Sequence, residues 1–491
     1  MYYRLKEPYS FKGWQRLPFA IRPESGPHMF ERPHFFRKPE YLELMYCNGV
    51  EDVDISEMSE TGQKILNEMI EAGIIDKSET PMEPLKPYQR YHVFPTRYAE
   101  GVHWAITGKC NFKCRHCLVS APDSHHPQLP LSDCIRIIDE IAACGIKGVD
   151  ITGGEPLLRK DYPEIFKALK ERGIGIRMMF TNASLLNEEV LENLEKYGHR
   201  PNFQLSFDGL GHHDWLRGVP GAEKQADAAF RLLQKNNIYV TAALMIHREN
   251  KDCLSPTARY LADLGVGAMR VNAPQELGVW KEYGSQYALT EDEVWEIYAK
   301  YIQDFFAEGM IISSDLDGYF SCKKGETKYR IPYVHHLKDE DDLSRIPYCE
   351  SVNKYLHIRP DGKIAPCMGF SYTKLGETFP NVLEDHLSDI LMKSNYQDVV
   401  RTNLQQVKDH NPDCKECDMF LKCAAGCMVE SMTEDGDYLM HDERICYFHK
   451  NIGEDAVRKI ADEAILKAGY SLDTGDEKKD DTEDATLNIN C

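Results

Sequence analysis

Short apolar runs alternate with longer amphipathic segments between residues 102 and 274. The runs have the length of strands, and the segments between them repeat apolar positions at helical spacing. The predicted strands are VHWAIT, GVDIT, IGIRMMFTN, NFQLSFDG, IYVTAALMI and AMRVNAP. Strands that alternate with helices at this period pair in parallel through right-handed crossovers. We therefore predict an α/β fold, either a doubly wound sheet or a full or partial barrel, with its chemistry at the carboxyl ends of the strands.

The N-terminal residues have a different pattern. Residues 1–40 are rich in proline and aromatic residues, and their eight basic against four acidic side chains give a local charge of +4. Because dense proline prevents long helices, we predict an extended aromatic and basic arm. Residues 41–98 then contain two predicted helices, the second capped by Ser59, and a short extended piece. This outline predicts a winged-helix-like domain, and a helical lid on the next domain is the alternative.

Three further regions complete the predicted organisation. We expect the barrel at 99–320, a loop-rich region with little periodicity at 321–450, and a final helix with an acidic tail at 451–491. Seven acids and two lysines between Asp473 and Asp484 indicate that the tail is disordered and solvated.

Composition narrows the classes of function. The 491 residues are 42% hydrophobic, which supports a substantial core, and the net charge of −21 argues against a nucleic-acid partner. The sequence contains neither an apolar run long enough to span a membrane nor a signal peptide, so we expect no membrane partner and a cytoplasmic location. In a reducing compartment, 16 cysteines indicate metal or redox chemistry rather than disulfides.

One group of cysteines directly follows the first predicted strand. Cys110, Cys114 and Cys117 have the spacing CxxxCxxC, and thiolates are soft ligands for zinc or iron–sulfur clusters. A structural zinc site needs four ligands, whereas a [4Fe–4S] cluster held by three cysteines leaves one iron free for a small molecule. The next strand ends in TGGEP, residues 152–156, where two glycines allow close approach to a ligand.

CNFKCRHC followed by TGGEP resembles the radical S-adenosylmethionine (SAM) enzymes over roughly residues 102–275. The resemblance implies a partial (β/α)6 barrel in which the three cysteines hold a [4Fe–4S] cluster and SAM chelates the fourth iron. One-electron reduction of SAM would then give a 5′-deoxyadenosyl radical. The implied SAM contacts are His116, Gly153, Gly154, Glu155, Pro156, Ser206, Asp208 and Arg217. For Arg217, a guanidinium that can fork onto the SAM carboxylate, a surface salt bridge is the alternative.

A second group of cysteines begins at Cys349. Its spacing resembles the seven-cysteine SPASM extension of some radical SAM enzymes, which implies two auxiliary [4Fe–4S] clusters and hence three clusters in all. The nearer cluster would use Cys349, Cys367 and Cys427, and the outer one would use Cys414, Cys417, Cys423 and Cys446. Two alternatives stay open for the fourth ligand of the nearer cluster, namely Cys322 and a substrate thiolate.

The resemblance also implies a function, because SPASM enzymes of this kind mostly modify peptides or proteins. We predict a radical SAM oxidoreductase that matures a ribosomally made peptide by forming a thioether or carbon–carbon cross-link. The winged-helix-like domain would grip a leader segment as an added strand, and a flavodoxin- or ferredoxin-type protein would donate electrons. The alternatives are an anaerobic sulfatase-maturing enzyme that forms formylglycine, and a non-catalytic iron–sulfur electron carrier.

Overall fold

The computed structural model describes residues 1–15, 19–26, 28–119, 126, 128–274, 278–433 and 435–472. The predicted acidic tail from Asp473 onward lies outside the described residues. The elements of the N-terminal part are β1 (Tyr2–Leu5), β2 (Tyr9–Trp14), β3 (Ala20–Pro23), β4 (His34–Phe35), α1 (Lys38–Leu44), β5 (Asn48–Asp52), α2 (Glu60–Glu71), β6 (Ile75–Ser78) and β7 (His92–Phe94).

The N-terminal strands form two small sheets. The first has the order β5-β1-β6, and β1 pairs antiparallel with both neighbours. Tyr3 and Leu5 of β1 are buried in one apolar cluster with Tyr41 and Leu66, so residues 1–5 pack with the two helices. The expected boundary at residue 40, between an arm and a separate domain, is therefore not a structural boundary. Ser59 caps α2 as predicted, accepting a hydrogen bond from the Gly62 N–H at 3.0 Å.

The second small sheet, β4-β3-β2-β7, lies against the central part of the chain. Trp14 is fully buried and donates from Nε1 to the Cys144 carbonyl at 3.3 Å. Arg22 donates from Nη1 to the Gly145 carbonyl at 2.6 Å, and Lys147 pairs with Glu24 at 2.8 Å. The N-terminal part is thus anchored to the turn after α3, the first barrel helix. Some of its basic side chains form ion pairs within the protein.

The central part alternates strands and helices. Its elements are β8 (Gly101–Ala105), α3 (Leu131–Ala143), β9 (Gly148–Thr152), α4 (Tyr162–Glu171), β10 (Gly175–Thr181), α5 (Glu188–Lys196), β11 (Asn202–Ser206), α6 (His213–Arg217), α7 (Ala222–Lys235), β12 (Val240–Met245), α8 (Leu254–Asp263), β13 (Ala268–Asn272), α9 (Trp280–Tyr287), α10 (Glu291–Ala307) and β14 (Ser313–Leu316). Helix α10 begins at the capping box formed by Thr290 and Glu293.

The last part of the described chain has short elements separated by loops. They are β15 (Ser321–Cys322), β16 (Tyr329–Arg330), α11 (Ser351–Lys354), β17 (Tyr355–Ile358), β18 (Ile364–Ala365), α12 (Leu387–Lys393), α13 (Tyr396–Val400), α14 (Leu404–His410), α15 (Pro412–Lys415), α16 (Phe420–Cys423), α17 (Glu443–Tyr447) and α18 (Gly453–Lys467). Among the described residues, no helix is long and apolar enough to cross a bilayer.

The central sheet confirms the α/β prediction and has the topology of a partial barrel. Strands β8 to β14 are adjacent in sequence order and pair in parallel. A doubly wound sheet would reverse its strand order at a switch point, and this run of strands does not. All six predicted strands are present as β8 to β13. The sheet ends at the short strands β16 and β18, so it is open.

Two strands of the parallel sheet were not predicted from the sequence. Strand β14, SSDL, is short and polar, so it lacks the apolar run that marks the other strands. Strand β17 lies among the cysteines and pairs in parallel with β8, from Tyr355 beside Gly101 to Ile358 beside Trp104. The cysteine-rich region therefore extends the barrel sheet directly.

We expect Trp14→Ala to loosen the N-terminal part from the barrel. The substitution removes a fully buried indole, which stacks on Phe94 at 5.4 Å, at a cost of about 3–5 kcal/mol. Hydrogen exchange should accelerate in residues 1–94 and stay slow in β8 to β13. The control Trp14→Phe keeps one aromatic ring in the pocket, so it should loosen the N-terminal part less than Trp14→Ala, although it loses part of the buried volume and the donor to Cys144. Equal exchange in Trp14→Ala and the native protein would refute this anchoring role.

Candidate functional site

The carboxyl ends of four neighbouring strands bring the candidate side chains together. The loop with Cys110 follows β8, Glu155 follows β9, Asn182 follows β10 and Asp208 follows β11. Parallel pairing places these four ends at one edge of the sheet. Side chains separated by about a hundred residues of sequence can therefore act in one site.

The three thiols after β8 are close enough to repel one another electrostatically. Burial, with added repulsion from Glu155, Cys114 and Cys117, raises the pKa of Cys110 to about 12. The Asn182 Nδ2 lies 3.8 Å from the Cys110 Sγ, and the Arg217 Nη1 lies 3.9 Å from the Cys114 Sγ. None of these three described cysteines is in a disulfide. Three soft ligands on one loop, beside an amide and a guanidinium, fit an iron–sulfur cluster.

The two glycines of TGGEP hold the cysteine loop against the end of β9. Gly154 donates from its N–H to the Thr107 carbonyl at 2.9 Å, and Glu155 donates to the Lys109 carbonyl at 2.8 Å. A Cβ on Gly153 would lie 2.4 Å from the Thr107 oxygen, and its φ of +147° is one that other residues rarely adopt. The two glycines were predicted to allow close approach of a ligand. In the structure, the backbone of the cysteine loop approaches them closely.

Glu155 is buried and ties β9 to β10. Its carboxylate accepts hydrogen bonds from the Thr181 hydroxyl at 2.8 Å, the Asn182 N–H at 2.8 Å and the Leu157 N–H at 3.0 Å. Burial raises the pKa of Glu155 to about 7, although these donors favour the ionised form. The side chain thus positions Asn182 near Cys110. Contact of Gly153, Gly154, Glu155 and Pro156 with SAM stays a prediction.

Asp208 and Arg217 form a buried, two-pronged ion pair. The guanidinium donates from Nε to Oδ2 at 2.6 Å and from Nη2 to Oδ1 at 3.0 Å. Burial opposes ionisation of Asp208, but Arg217 and His213 hold its pKa well below the usual range. The surface salt bridge considered as an alternative is therefore wrong, because Arg217 is only 7% exposed. A role for Arg217 toward SAM stays a prediction, and the ligand would share the guanidinium with Asp208.

His116 presents a polar atom without a partner inside this site. Its Nδ1 is buried and has no hydrogen-bond partner among the described residues. Burial, reinforced by the Arg217 charge, lowers the pKa of His116 to about 3, so the ring is neutral. Ser206, the last residue of β11, is partly exposed at the same edge. An unpartnered ring nitrogen on the cysteine loop, between Cys114 and Cys117, fits a bound small molecule such as SAM.

The seven-cysteine group separates into the two sets that the resemblance to the SPASM extension implies. The thiols assigned to the outer cluster, Cys414, Cys417, Cys423 and Cys446, line one cavity. Burial and the other three thiols raise the pKa of Cys414 to about 12. Burial likewise raises the pKa of Cys349 to about 12, and the neighbouring Cys427 and Cys367 add to the shift. The structure therefore places each predicted set in its own local cluster.

Cys322 has different neighbours. Its thiol lies on β15, and the Sγ is within 3.7 Å of three carbonyl oxygens of its own hairpin, those of Lys323, Glu326 and Lys328, to which its single S–H can donate. Burial raises the pKa of Cys322 to about 12, and the one acidic neighbour that adds to the shift is Glu326. The structure thus gives Cys322 a place in the hairpin rather than beside Cys349. Its assignment as a ligand stays a prediction with weaker support than the other seven.

Comparison with known families agrees with this geometry. The sequence pattern of the radical SAM superfamily matches residues 104–261, which include the cysteine loop, TGGEP and the Asp208–Arg217 pair. The chain is a radical SAM enzyme. The pattern of SPASM, an iron–sulfur cluster-binding domain, matches residues 349–418 of this radical SAM oxidoreductase. The last three of the seven cysteines that begin at Cys349, namely Cys423, Cys427 and Cys446, lie beyond the matched residues.

Two relatives illustrate the range of activities near this radical SAM enzyme. It is 24% identical over 340 residues to the PqqA peptide cyclase of Granulibacter bethesdensis, covering 68% of this chain and 83% of the relative. It is also 24% identical over 370 residues to the AdoMet-dependent heme synthase of Methanosarcina barkeri, covering 71% and 96%.

Solved structures give the same fold. Streptococcus suis SuiB bound to its precursor peptide SuiA superposes with a TM-score of 0.61 at 15% identity, over 90% of this chain and 99% of SuiB. The structure of anSMEcpe with bound AdoMet and the Kp18Cys peptide superposes with a TM-score of 0.54 at 14% identity, over 75% and 99%. These likenesses establish the fold alone.

Two residues that shape the site were not among the predicted site residues. Asn182 lies beside Cys110, and His213 lies 2.9 Å from the Asp208 carboxylate. Their positions carried a signal, since Asn182 directly follows a predicted strand and His213 lies five residues after Asp208. Their contacts depend on tertiary packing, which sequence spacing does not contain.

We expect Gly153→Ala to disrupt the cysteine loop. A Cβ 2.4 Å from the Thr107 oxygen would displace the loop, so the first cysteine set should lose most of its iron and SAM cleavage should stop. Iron per chain and 5′-deoxyadenosine release measure the effect. Gly221→Ala is the control, because Gly221 also has a positive φ, +84°, but has no atom within 4 Å of its Cβ position. Normal iron content and SAM cleavage in Gly153→Ala would contradict this role of the glycine.

Proposed function

We propose that this radical SAM enzyme matures a ribosomally made peptide and forms a cross-link in it. The observation that carries the proposal is the N-terminal part, a pair of sheets and two helices anchored on the barrel by Trp14 and Arg22. The superposition on SuiB covers 90% of this chain, against 75% for anSMEcpe. The name of one relative, a peptide cyclase, supports the same class of substrate.

An exposed apolar face on the N-terminal part supports leader binding. Leu42 lies on α1, Met45 and Tyr46 directly follow the end of that helix, and each is exposed. The exposed Val50 follows on the edge strand β5. Exposed apolar side chains beside a sheet edge suit a peptide that adds a strand and inserts alternate side chains.

Three cysteine sets would hold three [4Fe–4S] clusters. The loop after β8 would hold the first, Cys349, Cys367 and Cys427 the nearer auxiliary cluster, and the cavity lined by Cys414 the outer one. When bound, the first cluster and SAM supply one-electron chemistry that removes a hydrogen atom from the substrate. The chain itself orients the ligand through His116 and the Asp208–Arg217 pair, and its buried groups exclude water.

Support for a thioether over a carbon–carbon bond comes from Cys322. Because its thiol is hydrogen-bonded inside its own hairpin, the nearer auxiliary set keeps three protein thiols. A substrate thiolate would then have a position beside the site, where proximity favours carbon–sulfur bond formation with a substrate carbon radical, and an auxiliary cluster would take up the one electron that this bond formation releases. A flavodoxin- or ferredoxin-type donor would supply the electrons.

A second candidate function is oxidation of a tetrapyrrole, favoured by the heme synthase relative that matches 96% of its own length. The two candidates are separable by product. Incubation with SAM and a candidate precursor peptide, taken from short reading frames beside the gene, should lower the peptide mass by two hydrogen atoms. Carbonyl reagents distinguish the cross-link from the product of a sulfatase-maturing enzyme. A cross-linked peptide would not react with them, whereas a peptide that contains formylglycine would. An unchanged peptide together with an oxidised porphyrin would overturn the proposal.

We expect the triple change of Cys110, Cys114 and Cys117 to alanine to remove about four of about twelve irons per chain. All 5′-deoxyadenosine release should be lost with them, because no other set in the proposal binds SAM. Iron and sulfide analysis after anaerobic reconstitution, with chromatography of the nucleoside, measures both. A triple variant that still releases 5′-deoxyadenosine would refute the assignment.

Leu42→Glu should weaken precursor-peptide binding about tenfold or more, because it puts a charge on the exposed face of α1. Fluorescence polarisation with a labelled precursor peptide measures the dissociation constant. The matched control is Leu466→Glu, an equivalent change at an exposed leucine of α18, and it should bind like the native enzyme. Equal affinity of both variants would show that the leader binds elsewhere.

A further inference from the structure

The side-chain amide of Asn182 is directed at the first cysteine set. Asn182 directly follows β10, and its Nδ2 donates to the Cys110 Sγ at 3.8 Å. The residue is buried, with 8% of its surface exposed. The same sulfur accepts from the Phe112 N–H at 3.4 Å. Cys110 therefore has two N–H groups at its sulfur, one from the backbone of its own loop and one from a side chain that follows another strand.

Hydrogen bonds fix which end of this amide faces the sulfur. The Ser184 N–H, which can only donate, lies 3.0 Å from the Asn182 Oδ1, and the Ser184 hydroxyl donates to the same oxygen at 2.7 Å. The Nδ2 directs one of its two hydrogens to the Asn111 Oδ1 at 2.9 Å, which leaves the other for Cys110. Exchanging the oxygen and nitrogen would set N–H against N–H at Ser184, so the donor end faces the sulfur.

A closed ring of three side chains holds this orientation. Asn111 donates from Nδ2 to the Ser184 Oγ at 2.8 Å, Ser184 donates to Asn182, and Asn182 donates back to Asn111. Because Asn111 directly follows Cys110, the ring ties the cysteine loop to the turn after β10. The backbone N–H of Asn182 also donates to the buried Glu155 carboxylate at 2.8 Å. Backbone and side chain of Asn182 are thus both fixed relative to Cys110.

The turn that carries Asn182 keeps a costly backbone conformation. Ala183 has a φ of +72°, in the left-handed region that costs a residue with a side chain about 1–2 kcal/mol. Its N–H donates to the Thr181 Oγ1 at 3.1 Å, and the Thr181 hydroxyl donates to Glu155 at 2.8 Å. Strained turns persist where the surrounding bonds determine them, and they are frequent at functional sites. Here these bonds hold the amide of Asn182 against Cys110.

We propose that Asn182 raises the reduction potential of the first cluster by donating a hydrogen bond to the Cys110 thiolate. Hydrogen bonds to the sulfur ligands are among the factors that set the potential of an iron–sulfur cluster. Reduction adds negative charge at the thiolates, so an N–H donor stabilises the reduced form more than the oxidised form. The amide therefore favours the one-electron reduction that precedes SAM cleavage. The inference rests on the cluster that the proposed function assigns to these cysteines, and not on a peptide substrate.

Arg217 makes a similar contact at Cys114, but its replacement would be a less selective test. Its Nη1 donates to the Cys114 Sγ at 3.9 Å. Removing the guanidinium would also leave the buried Asp208 carboxylate without its charge partner and would remove a predicted SAM contact. Asn182 is neutral and is not among the predicted SAM contacts. Its replacement therefore removes the donor to sulfur without breaking an ion pair.

The test is a redox titration of the reconstituted holoenzyme, followed by electron paramagnetic resonance. The first cluster is identified by the signal that changes when SAM is added, and its midpoint potential is then measured without SAM. Asn182→Leu keeps a side chain of similar size that cannot donate a hydrogen bond. We expect its midpoint to fall by about 59 mV, the one-electron equivalent of a tenfold weaker reduction equilibrium. The midpoints of the auxiliary clusters should stay unchanged and serve as an internal reference.

A second variant, Asn182→Asp, puts a carboxylate oxygen in the place of Nδ2, so its midpoint should fall further than that of Asn182→Leu. The matched control is Asn187→Asp, the same chemical change five residues along the chain. Asn187 is exposed and caps α5 by accepting from the Val190 N–H at 3.1 Å, and aspartate caps helices equally well. The control should keep the native midpoint.

Iron content and the SAM-induced change of signal establish that each variant holds the first cluster, and Asn182→Ala replaces Asn182→Leu if leucine prevents cluster assembly. An unchanged midpoint in the neutral variant would overturn the inference. A fall in Asn182→Asp no larger than in Asn187→Asp would overturn it as well. A native enzyme without any SAM-responsive signal would instead refute the cluster assignment itself, and with it this inference.

Discussion

Parallel pairing of β8 to β14, extended by β17, is the constraint on which the rest of the structure depends. It places the ends of successive strands at one edge, so the cysteine loop, Glu155, Asn182 and Asp208 meet although they are distant in sequence. Gly153 and Gly154 then allow the cysteine loop to lie against the end of β9 with no side chain between them.

The alternation of apolar runs was sufficient to predict six parallel strands, and the two separate auxiliary sets followed from the resemblance of the cysteine spacing to the SPASM extension. Both signals are local or periodic, and both survive in a single sequence. Strand β14 was not predicted because SSDL is polar. Strand β17 was not predicted because its pairing with β8 joins segments about 250 residues apart. Cys322 illustrates the limit of spacing, since its thiol is held by carbonyls of its own hairpin.

The N-terminal part connects this site to its proposed substrate. Its basic residues gave the sequence a positively charged arm, but in the fold Lys12 and Arg22 pair with Glu24, which also pairs with Lys147 of the barrel. What the N-terminal part exposes is instead a set of apolar side chains at the end of α1, beside the edge strand β5. Recognition by added strand and apolar insertion depends on shape and backbone bonding, and it suits a leader sequence that is separate from the residues to be modified.

We propose that the thiols after β8 hold a cluster with one iron open to SAM. Electron paramagnetic resonance of the anaerobically reduced holoenzyme, recorded with and without SAM, tests it most directly. We expect SAM to change the electron paramagnetic resonance signal of one cluster in the native enzyme and to leave the signals of the auxiliary clusters unchanged. A spectrum that is identical with and without SAM, in an enzyme with full iron content, would contradict it.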